Sequence, residues 1–292
     1  MKTTEKTIKK IAVLYHAECP DGFGAAWAAW KKFGSKAIYI PIYHQTPPPK
    51  EIKGKDVYTL DISYPADVVK RLVKTVRSLT IVDHHISNKG ALKFASDSFF
   101  GLNHSGSVLS WMYFHPKKPV PALLRHVEDM DLWRFRLPFT HEVDEALQLY
   151  GFDFTVWNKL ASDFEKKKTK RKYIEEGNVL LRNRAKNIEK LVSFAEKVEF
   201  QGKKCFAVNS PFHVSFIGHA LVKKLPPIAI IWSRRSGRIM ISLRSDGKVD
   251  VSKLASVFGG GGHKAAAGFY WSIDKPLPFT PLEVSVIPRK KF

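Results

Sequence analysis

Short apolar stretches alternate with helix-like stretches through the first 90 residues, and this alternation constrains the fold more than any other feature. Apolar stretches at 11–15, 36–42, 57–60 and 79–82 have the length and the β-branched content of buried strands. The segment at 66–77, like the one that ends at Gly34, has the composition of a helix. Short strands that alternate with helices predict a parallel sheet covered by helices on both faces. We therefore expect an α/β fold.

The domain organisation is predicted from changes in this pattern. Between about 105 and 195 the sequence is mostly helical, and from 197 onwards strand-like stretches return. We predict a parallel-sheet domain over 1–155, a helical connector over 156–195 and a smaller α/β domain over 196–292.

Charge is the unusual property of the composition. The chain has 48 Lys and Arg against 27 Asp and Glu, which gives a net charge of +21. This balance favours a polyanionic partner such as nucleic acid, nucleotides or polyphosphate, although a lysine-rich proteome would produce the same value. The densest basic run, at 165–172, is predicted to lie on a solvent-exposed helix, and a phosphate track is the alternative.

Other properties exclude whole classes of protein. The hydrophobic fraction of 44% excludes wholesale disorder, and no apolar run approaches the roughly 18 to 20 residues of a membrane span. The apolar stretch at the start of the chain is too short for a signal peptide. We therefore expect a soluble, cytoplasmic protein with no membrane partner. Its two cysteines, Cys19 and Cys205, provide no disulfide framework and lack the spacing of a zinc site.

Acidic and imidazole side chains follow three of the predicted strands. They are His16, Glu18 and Asp21 after the first strand, Asp61 after the strand at 57–60, and Asp83, His84 and His85 after the strand at 79–82. Because ligands bind beyond the carboxyl ends of parallel strands, we expect these side chains at one edge of the sheet. Carboxylates mixed with imidazoles fit Mn²⁺, Mg²⁺ or Fe²⁺, and more than four such ligands indicate two ions. Each residue alone could be a cap, a turn residue or a core histidine, and only the whole set predicts a metal cluster.

A glycine run near the end of the chain, FGGGGHKAAAGF at 258–269, has its own interpretation. The glycines at 259–262 let the backbone approach an anion closely, and their N–H groups can line a phosphate-binding nest. The residues from His263 onwards are predicted to begin a short helix, whose N-terminus favours negative charge. A hinge or a tight turn between packed elements is the alternative.

Together these segments resemble the DHH phosphoesterase family, which is named for the tripeptide found here at 83–85. The segments at 16–27, 58–65 and 82–85 look like its first three motifs, and the region from His104 to Trp133 looks like the one that carries the fourth. The segment at 242–269 is similar to the signature of the DHH-associated C-terminal domain. The resemblance covers nearly the whole chain, and it implies an active site in the cleft between the two α/β domains.

The resemblance implies two divalent metal ions, Mn²⁺ in preference to Mg²⁺, and a role for each residue. The implied metal ligands are His16 and Glu18 on one ion, Asp21, His84 and Asp129 on the other, and Asp61 as the bridge between them. His85 would contact the scissile phosphate, and Asp83 would orient its neighbours. The implied substrate-binding residues are Arg244, Gly259, Gly260, Gly261, Gly262 and His263. Glu18 departs from the family pattern, because relatives usually have Asp at this position. Asp129 is chosen by the family pattern alone, since Glu128 and Asp131 lie beside it in the sequence.

The activity implied by the resemblance is that of a metal-dependent phosphodiesterase of the exonuclease or oligoribonuclease type. It would hydrolyse short oligonucleotides to nucleoside monophosphates by two-metal activation of water. The expected partners are short single-stranded oligonucleotides, RNA in preference to DNA, and a homodimer is left open. The alternatives are a cyclic-dinucleotide or linear-dinucleotide phosphodiesterase, or a catalytically silent nucleic-acid-binding protein of the same family.

Overall fold

A parallel sheet of five strands forms the centre of the first half of the chain. In the computed structural model, residues 9–43, 46–235 and 237–282 are described, apart from the side chains of 87 and 88. The strands are β1 (Ile11–His16), β2 (Ala37–Ile42), β3 (Asp56–Leu60), β4 (Ser78–Asp83) and β5 (Asp97–Phe100). Their order across the sheet is β2-β1-β3-β4-β5, and every neighbouring pair is parallel. The α/β fold predicted from the alternating pattern is confirmed.

Helices cover both faces of this sheet. They are α1 (Pro20–Phe33), α2 (Ala66–Leu72), α3 (Gly106–Phe114), α4 (Ala122–Asp131), α5 (Thr140–Leu147) and α6 (Phe154–Phe164), with 3₁₀ segments at Gly34–Lys36, Lys50–Ile52 and Ile86–Phe94. Successive residues of β1 contact opposite faces, because strand side chains alternate. Val13 is buried with Trp27 of α1, whereas Leu14 is buried with Val69 and Leu72 of α2.

A long helix, α7 (Lys167–Ser193), contains the boundary between the two compact units of the chain, which falls between Leu181 and Arg182. The predicted connector at 156–195 overlaps α6, whose Trp157 is 1% exposed in the core of the first unit. The boundaries at 155 and 195 stay a prediction. Within the described residues, no helix combines the length and the apolar character needed to cross a membrane.

The basic run lies mainly in the first turns of α7 and faces solvent. Lys167 and Lys168 are exposed, and Arg171 donates to Glu175 one turn further along, at 2.7 Å. Lys170 is the exception, since its Nζ lies 2.6 Å from Nε2 of the buried His126. Most of the run is therefore a solvated helix surface, as the charge pattern predicts.

The second unit has a seven-stranded mixed sheet. Its strands are β6 (Glu196–Phe200), β7 (Lys203–Asn209), β8 (Ile228–Arg235), β9 (Arg238–Ser245), β10 (Gly261–His263), β11 (Ala266–Ser272) and β12 (Thr280–Pro281). The order is β10-β11-β9-β8-β7-β6-β12, and only β7 and β8 are parallel neighbours among them. Helix α8 (Val214–Lys224) packs against Ile231 of β8. Helix α9 (Val251–Ser256) packs with Ile230, the preceding residue of that strand, on the opposite face of the sheet.

The glycine run forms a strand pair, and the predicted short helix after His263 is wrong. Gly261–His263 form β10, which pairs antiparallel with β11 from Ala266 onwards. The pairing requires close approach, because a Cβ on Gly260 would lie 2.1 Å from the carbonyl oxygen of Gly268. The glycines therefore let one backbone pack against another, which the local sequence could not distinguish from a helix start.

Candidate metal centre

Three neighbouring strands bring the acids and imidazoles to one edge of the first sheet. His16 is the last residue of β1, Asp61 follows β3, and Asp83 is the last residue of β4. Because β3 lies between β1 and β4, Asp61 is the central residue of the group. Its φ of 56° is left-handed, and its N–H donates to the carbonyl of Val82 at 3.0 Å. Such backbone conformations cost on the order of 1–3 kcal/mol and concentrate at functional sites.

Asp61 lies between two imidazoles and is 2% exposed. Its Oδ2 is 3.3 Å from Nδ1 of His16, and its Oδ1 is 3.2 Å from Nε2 of His84. Burial would raise the pKa of Asp61, but the imidazoles of His16, His84 and His85 hold it well below its ordinary value. Oδ1 is buried and has no hydrogen bond of good geometry within the described part of the chain. The result is an ionised carboxylate with unsatisfied acceptor capacity, which is suited to a cation.

One cluster of metal-ligating side chains consists of Asp21, His84 and Asp131, whose ligand atoms all lie within 4.8 Å of one another. The oxygens of Asp21 accept hydrogen bonds from the backbone N–H groups of Gly106 at 2.7 Å and Ser107 at 3.0 Å. Burial and the charge of Asp61 raise the pKa of Asp21 to about 6, against the opposing charge of His84.

The same cluster holds negative charge at close range. Desolvation and the carboxylates of Asp21 and Asp61 raise the pKa of Asp131 well above its ordinary value. Burial would lower the pKa of His84, but its contact with Asp61 and the charges of Asp61, Asp131 and Asp21 raise it to about 10. Carboxylates held this close together repel one another unless a cation lies among them.

A second cluster consists of His16, Cys19 and Asp61, again with ligand atoms within 4.8 Å of one another. Asp61 thus contacts an imidazole of each cluster, as a bridging ligand would. Carboxylates and imidazoles in this proportion fit divalent metal ions. The expected grouping of these residues at the strand ends is therefore seen in the structure.

Glu18 is not brought into either cluster, although the resemblance implied it as a ligand. Its backbone is left-handed, with φ of 52°, and its side chain is exposed. Its Oε1 accepts a hydrogen bond from the hydroxyl of Tyr43 at 3.0 Å. The next residue, Cys19, lies in the cluster instead. Cys19 lies between the end of β1 and Pro20, the first residue of α1.

Asp129 is likewise absent from the two clusters. Asp131 occupies the position beside His84 at which Asp129 was expected. Oδ1 of Asp129 accepts from the N–H of Arg136 at 2.9 Å, and Oδ2 accepts from the N–H of Leu137 at 3.0 Å and from Oγ1 of Thr140 at 2.7 Å. These bonds tie down the loop after α4. Oδ2 of Asp131, in contrast, is 3.7 Å from Nε2 of His84. The structure places Asp131, and not Asp129, beside His84, and the assignment of the metal ligand on α4 stays a prediction.

Asp83 fixes the two histidines that follow it. Its Oδ1 accepts from the N–H of His84 at 2.7 Å and lies 2.7 Å from Nδ1 of His85, while Ser63 donates to its Oδ2. Burial would lower the pKa of His85, but the hydrogen bond and charge of Asp83 raise it to about 9. The arrangement is the one that an orienting residue requires.

Two of the substrate residues implied in the second unit, Arg244 and His263, lie in one row across three strands. In the sheet register Arg244 of β9 is opposite Ala266 of β11, which is opposite His263 of β10. Directly opposed residues share a face, so Arg244 and His263 flank a small residue on the same face. Arg244 donates to Oγ of Ser215 at 3.0 Å, but its Nε is buried without a hydrogen bond to any described residue. Burial lowers the pKa of Arg244 to about 10.

Comparison with known proteins agrees with these motifs. Residues 216–275 match the model of the DHHA1 domain. The chain is 30% identical over 297 residues to an uncharacterized protein of Acanthamoeba polyphaga mimivirus, in a match that covers 93% of this chain and 70% of the relative. The chain belongs to the DHH phosphoesterase family. The glycine segment at 259–262 lies within the DHHA1 match. The DHH tripeptide at 83–85 lies in the first unit, with the acids and imidazoles of the two clusters.

Solved structures share the fold at low sequence identity. The DHH domain of a member of a family of ribosomal proteins is similar at a TM-score of 0.59 and 12% identity, over 90% of this chain and 83% of that one. RecJ from Thermus thermophilus, in a crystal structure with Mn²⁺, is similar at a TM-score of 0.54 and 13% identity. That match covers 90% of this chain and 49% of RecJ.

Proposed function

We propose that this member of the DHH phosphoesterase family is a metal-dependent phosphodiesterase that hydrolyses short single-stranded oligonucleotides to nucleoside monophosphates. RNA is the proposed substrate in preference to DNA. The observation that carries the proposal is the pair of ligand clusters around Asp61, which holds imidazoles and carboxylates ready for divalent ions. A catalytically silent relative would have no need for this costly set of buried charges.

The proposed ligands are His16, Asp21, Asp61, His84 and Asp131, with Mn²⁺ as the proposed metal. When bound, the ions would lower the pKa of a water molecule that they hold and neutralise charge on the phosphodiester. The chain itself contributes position. Asp61 contacts His16 of one cluster and His84 of the other. The backbone of α3 holds Asp21 through two hydrogen bonds.

His85 is the proposed contact with the scissile phosphate. Asp83 holds its ring through Nδ1, so contact with a phosphate oxygen goes through Nε2. The raised pKa of His85, about 9, keeps a proton on the imidazole at neutral pH. The ring can therefore donate a hydrogen bond to an oxygen that gains negative charge as the reaction proceeds.

Residues of the second unit are proposed to hold the substrate end away from the scissile bond. Arg244 and His263 provide donors on one sheet face, and the glycines at 259–262 expose backbone next to them. The net charge of +21 supports a polyanionic substrate.

The test is hydrolysis of a labelled RNA dinucleotide and an RNA five-mer with Mn²⁺, beside the matching DNA, a cyclic dinucleotide and polyphosphate. Wild type, His84→Ala and the control His104→Ala are compared, since His104 lies outside the clusters and contacts Glu128. Loss of the short RNA that requires Mn²⁺ and His84, but not His104, supports the proposal. Faster hydrolysis of the cyclic dinucleotide or of polyphosphate than of the short RNA would contradict the proposed substrate. Binding of the oligonucleotide without hydrolysis would favour a catalytically silent nucleic-acid-binding protein.

A further inference from the structure

We propose that Cys19 is a thiolate ligand of the metal centre, and that it makes the cluster with His16 and Asp61 selective for softer divalent ions than the cluster with Asp21, His84 and Asp131. This inference rests on the metal centre of the proposed function. It assigns a role to a residue that the implied ligand set had not included.

Backbone geometry brings the thiol to the cluster. Cys19 comes directly before Pro20, the first residue of α1, and its carbonyl accepts a hydrogen bond from the N–H of Phe23 at 2.9 Å. The left-handed residue before it, Glu18, carries its side chain outwards, whereas Cys19 is half-buried. Sγ lies within 4.8 Å of a ligand atom of His16 and of Asp61.

A second observation concerns Asp61, the carboxylate of this cluster. Asp61, the acid of the cluster, is 2% exposed, and its Oδ1 is buried without a hydrogen bond from the residues that the structure describes. A buried carboxylate oxygen is normally paired, because leaving it unpaired is costly. Oδ1 lies on the side of His84, at 3.2 Å from its Nε2, and Oδ2 lies 3.3 Å from Nδ1 of His16. The ion that His16 and Cys19 would hold therefore meets the carboxylate of Asp61 on the side of Oδ2.

The two clusters differ in their donor atoms. His16, Cys19 and Asp61 offer nitrogen, sulfur and oxygen, whereas the other cluster offers one nitrogen and carboxylate oxygens only. Thiolates select softer ions such as Zn²⁺, Co²⁺ or Cd²⁺, and oxygen ligands suit Mn²⁺ or Mg²⁺. As the sulfur–metal bond forms, the thiol releases its proton to solvent. A centre with two unlike ions follows from this difference.

Cobalt provides a readout that does not depend on activity, because a thiolate bound to Co²⁺ produces a near-ultraviolet charge-transfer band. The chain has two cysteines, and Cys205, which is 0% exposed on β7, is the matched control. Titration of the metal-free protein with Co²⁺ should produce the band in wild type and Cys205→Ser, but not in Cys19→Ser or Cys19→Asp. Visible ligand-field bands from the other cluster should remain in both Cys19 variants. Affinity for Cd²⁺ should fall at least about tenfold in Cys19→Ser.

Alkylation tests the wild-type protein directly, so the inference does not depend on the folding of a variant. Zn²⁺ or Cd²⁺ should slow the reaction of Cys19 with iodoacetamide at least about tenfold. Ligand-field bands without the charge-transfer band, or alkylation unaffected by either ion, would overturn the role of Cys19 and leave the metal centre standing. Binding of neither Co²⁺ nor Mn²⁺ to wild type would overturn the metal centre itself.

Discussion

Gly106 leaves no room for a side chain beside Asp61. A Cβ on Gly106 would lie 2.4 Å from Cβ of Asp61 and 2.6 Å from its Oδ1. The N–H of the same glycine donates to Oδ2 of Asp21 at 2.7 Å. A single backbone position at the start of α3 therefore sets the place of two proposed metal ligands that come from different strand ends.

Gly106→Ala should displace Asp61 and impair the metal centre. We expect Mn²⁺ affinity to fall at least about tenfold and turnover of the RNA dinucleotide to fall about a hundredfold, because misplacement by about 1 Å has effects of that size. Titration calorimetry and initial rates measure the two effects. Gly151→Ala is the control, since a Cβ there meets no described atom within 4 Å. Equal behaviour of the two variants would show that the close contact is unimportant.

Asp131→Asn and Asp129→Asn should have opposite consequences. Asp131→Asn should weaken Mn²⁺ binding at least about tenfold while the metal-free protein keeps its free energy of unfolding, since a repelled carboxylate is removed. Asp129→Asn should lower the free energy of unfolding by about 1–3 kcal/mol, because its oxygens accept three hydrogen bonds, one buried and two partly buried. Mn²⁺ titration and urea denaturation separate the two results. A loss of metal affinity confined to Asp129→Asn would restore Asp129 as the ligand.

His126 should make stability depend on pH. Its Nδ1 donates to Oγ1 of Thr140, and its Nε2 accepts a hydrogen bond from Nζ of Lys170. A second proton on the ring would have to bind at Nε2, next to the positive charge of Lys170. Burial and the charge of Lys170 lower its pKa to about 4. The neutral ring is therefore favoured by folding, and its contribution is complete above the unfolded pKa of about 6.5 and is lost as pH falls towards 4.

The expected loss from this histidine is up to about 3 kcal/mol of unfolding free energy between pH 7 and pH 4. Urea denaturation of the metal-free protein across that range measures it. His126→Gln should flatten the dependence, although it lowers stability at pH 7, and the exposed His104→Gln should keep the wild-type slope. A slope unchanged in His126→Gln would assign it to another group.

Arg244→Met should weaken substrate binding and spare the metal centre. Its Nη2 donates to Ser215 at 3.0 Å while its Nε has no partner among the described residues, so a phosphate is the expected acceptor. We expect KM for the RNA dinucleotide to rise at least about tenfold, with Mn²⁺ affinity unchanged. Arg238→Met is the control, because Arg238 stacks on Tyr270 at the far end of the same strand. A KM equal in both variants would remove Arg244 from the substrate contacts.

Gly260→Ala should destabilise the second unit, and Gly261→Ala should not. A Cβ on Gly260 would meet the carbonyl oxygen of Gly268 at 2.1 Å, whereas one on Gly261 meets no atom of the described ranges within 4 Å. We expect a loss of at least about 1–3 kcal/mol in the first variant and little change in the second. Thermal unfolding followed by circular dichroism compares them. Similar melting temperatures would mean that the strand pair adjusts to the added methyl group.

The sequence by itself determined the sheet and the gathering of acids and imidazoles at its edge. Short apolar strands that alternate with helices can form little else than a parallel sheet, and residues that end neighbouring strands must then meet. For this reason His16, Asp61 and His84 were predicted together and lie together. The motifs around them also identified the family.

Tertiary structure decided which neighbour of each motif enters the centre. The left-handed backbone of Glu18 directs its own side chain outwards and that of Cys19 inwards. Local sequence does not determine a backbone angle of that kind. Asp129 and Asp131 are two positions apart on α4, about 200° around the helix, so only the packing of α4 could show which one faces His84. The glycine run became a strand because Gly260 packs against Gly268, a residue brought near it only by the folded sheet.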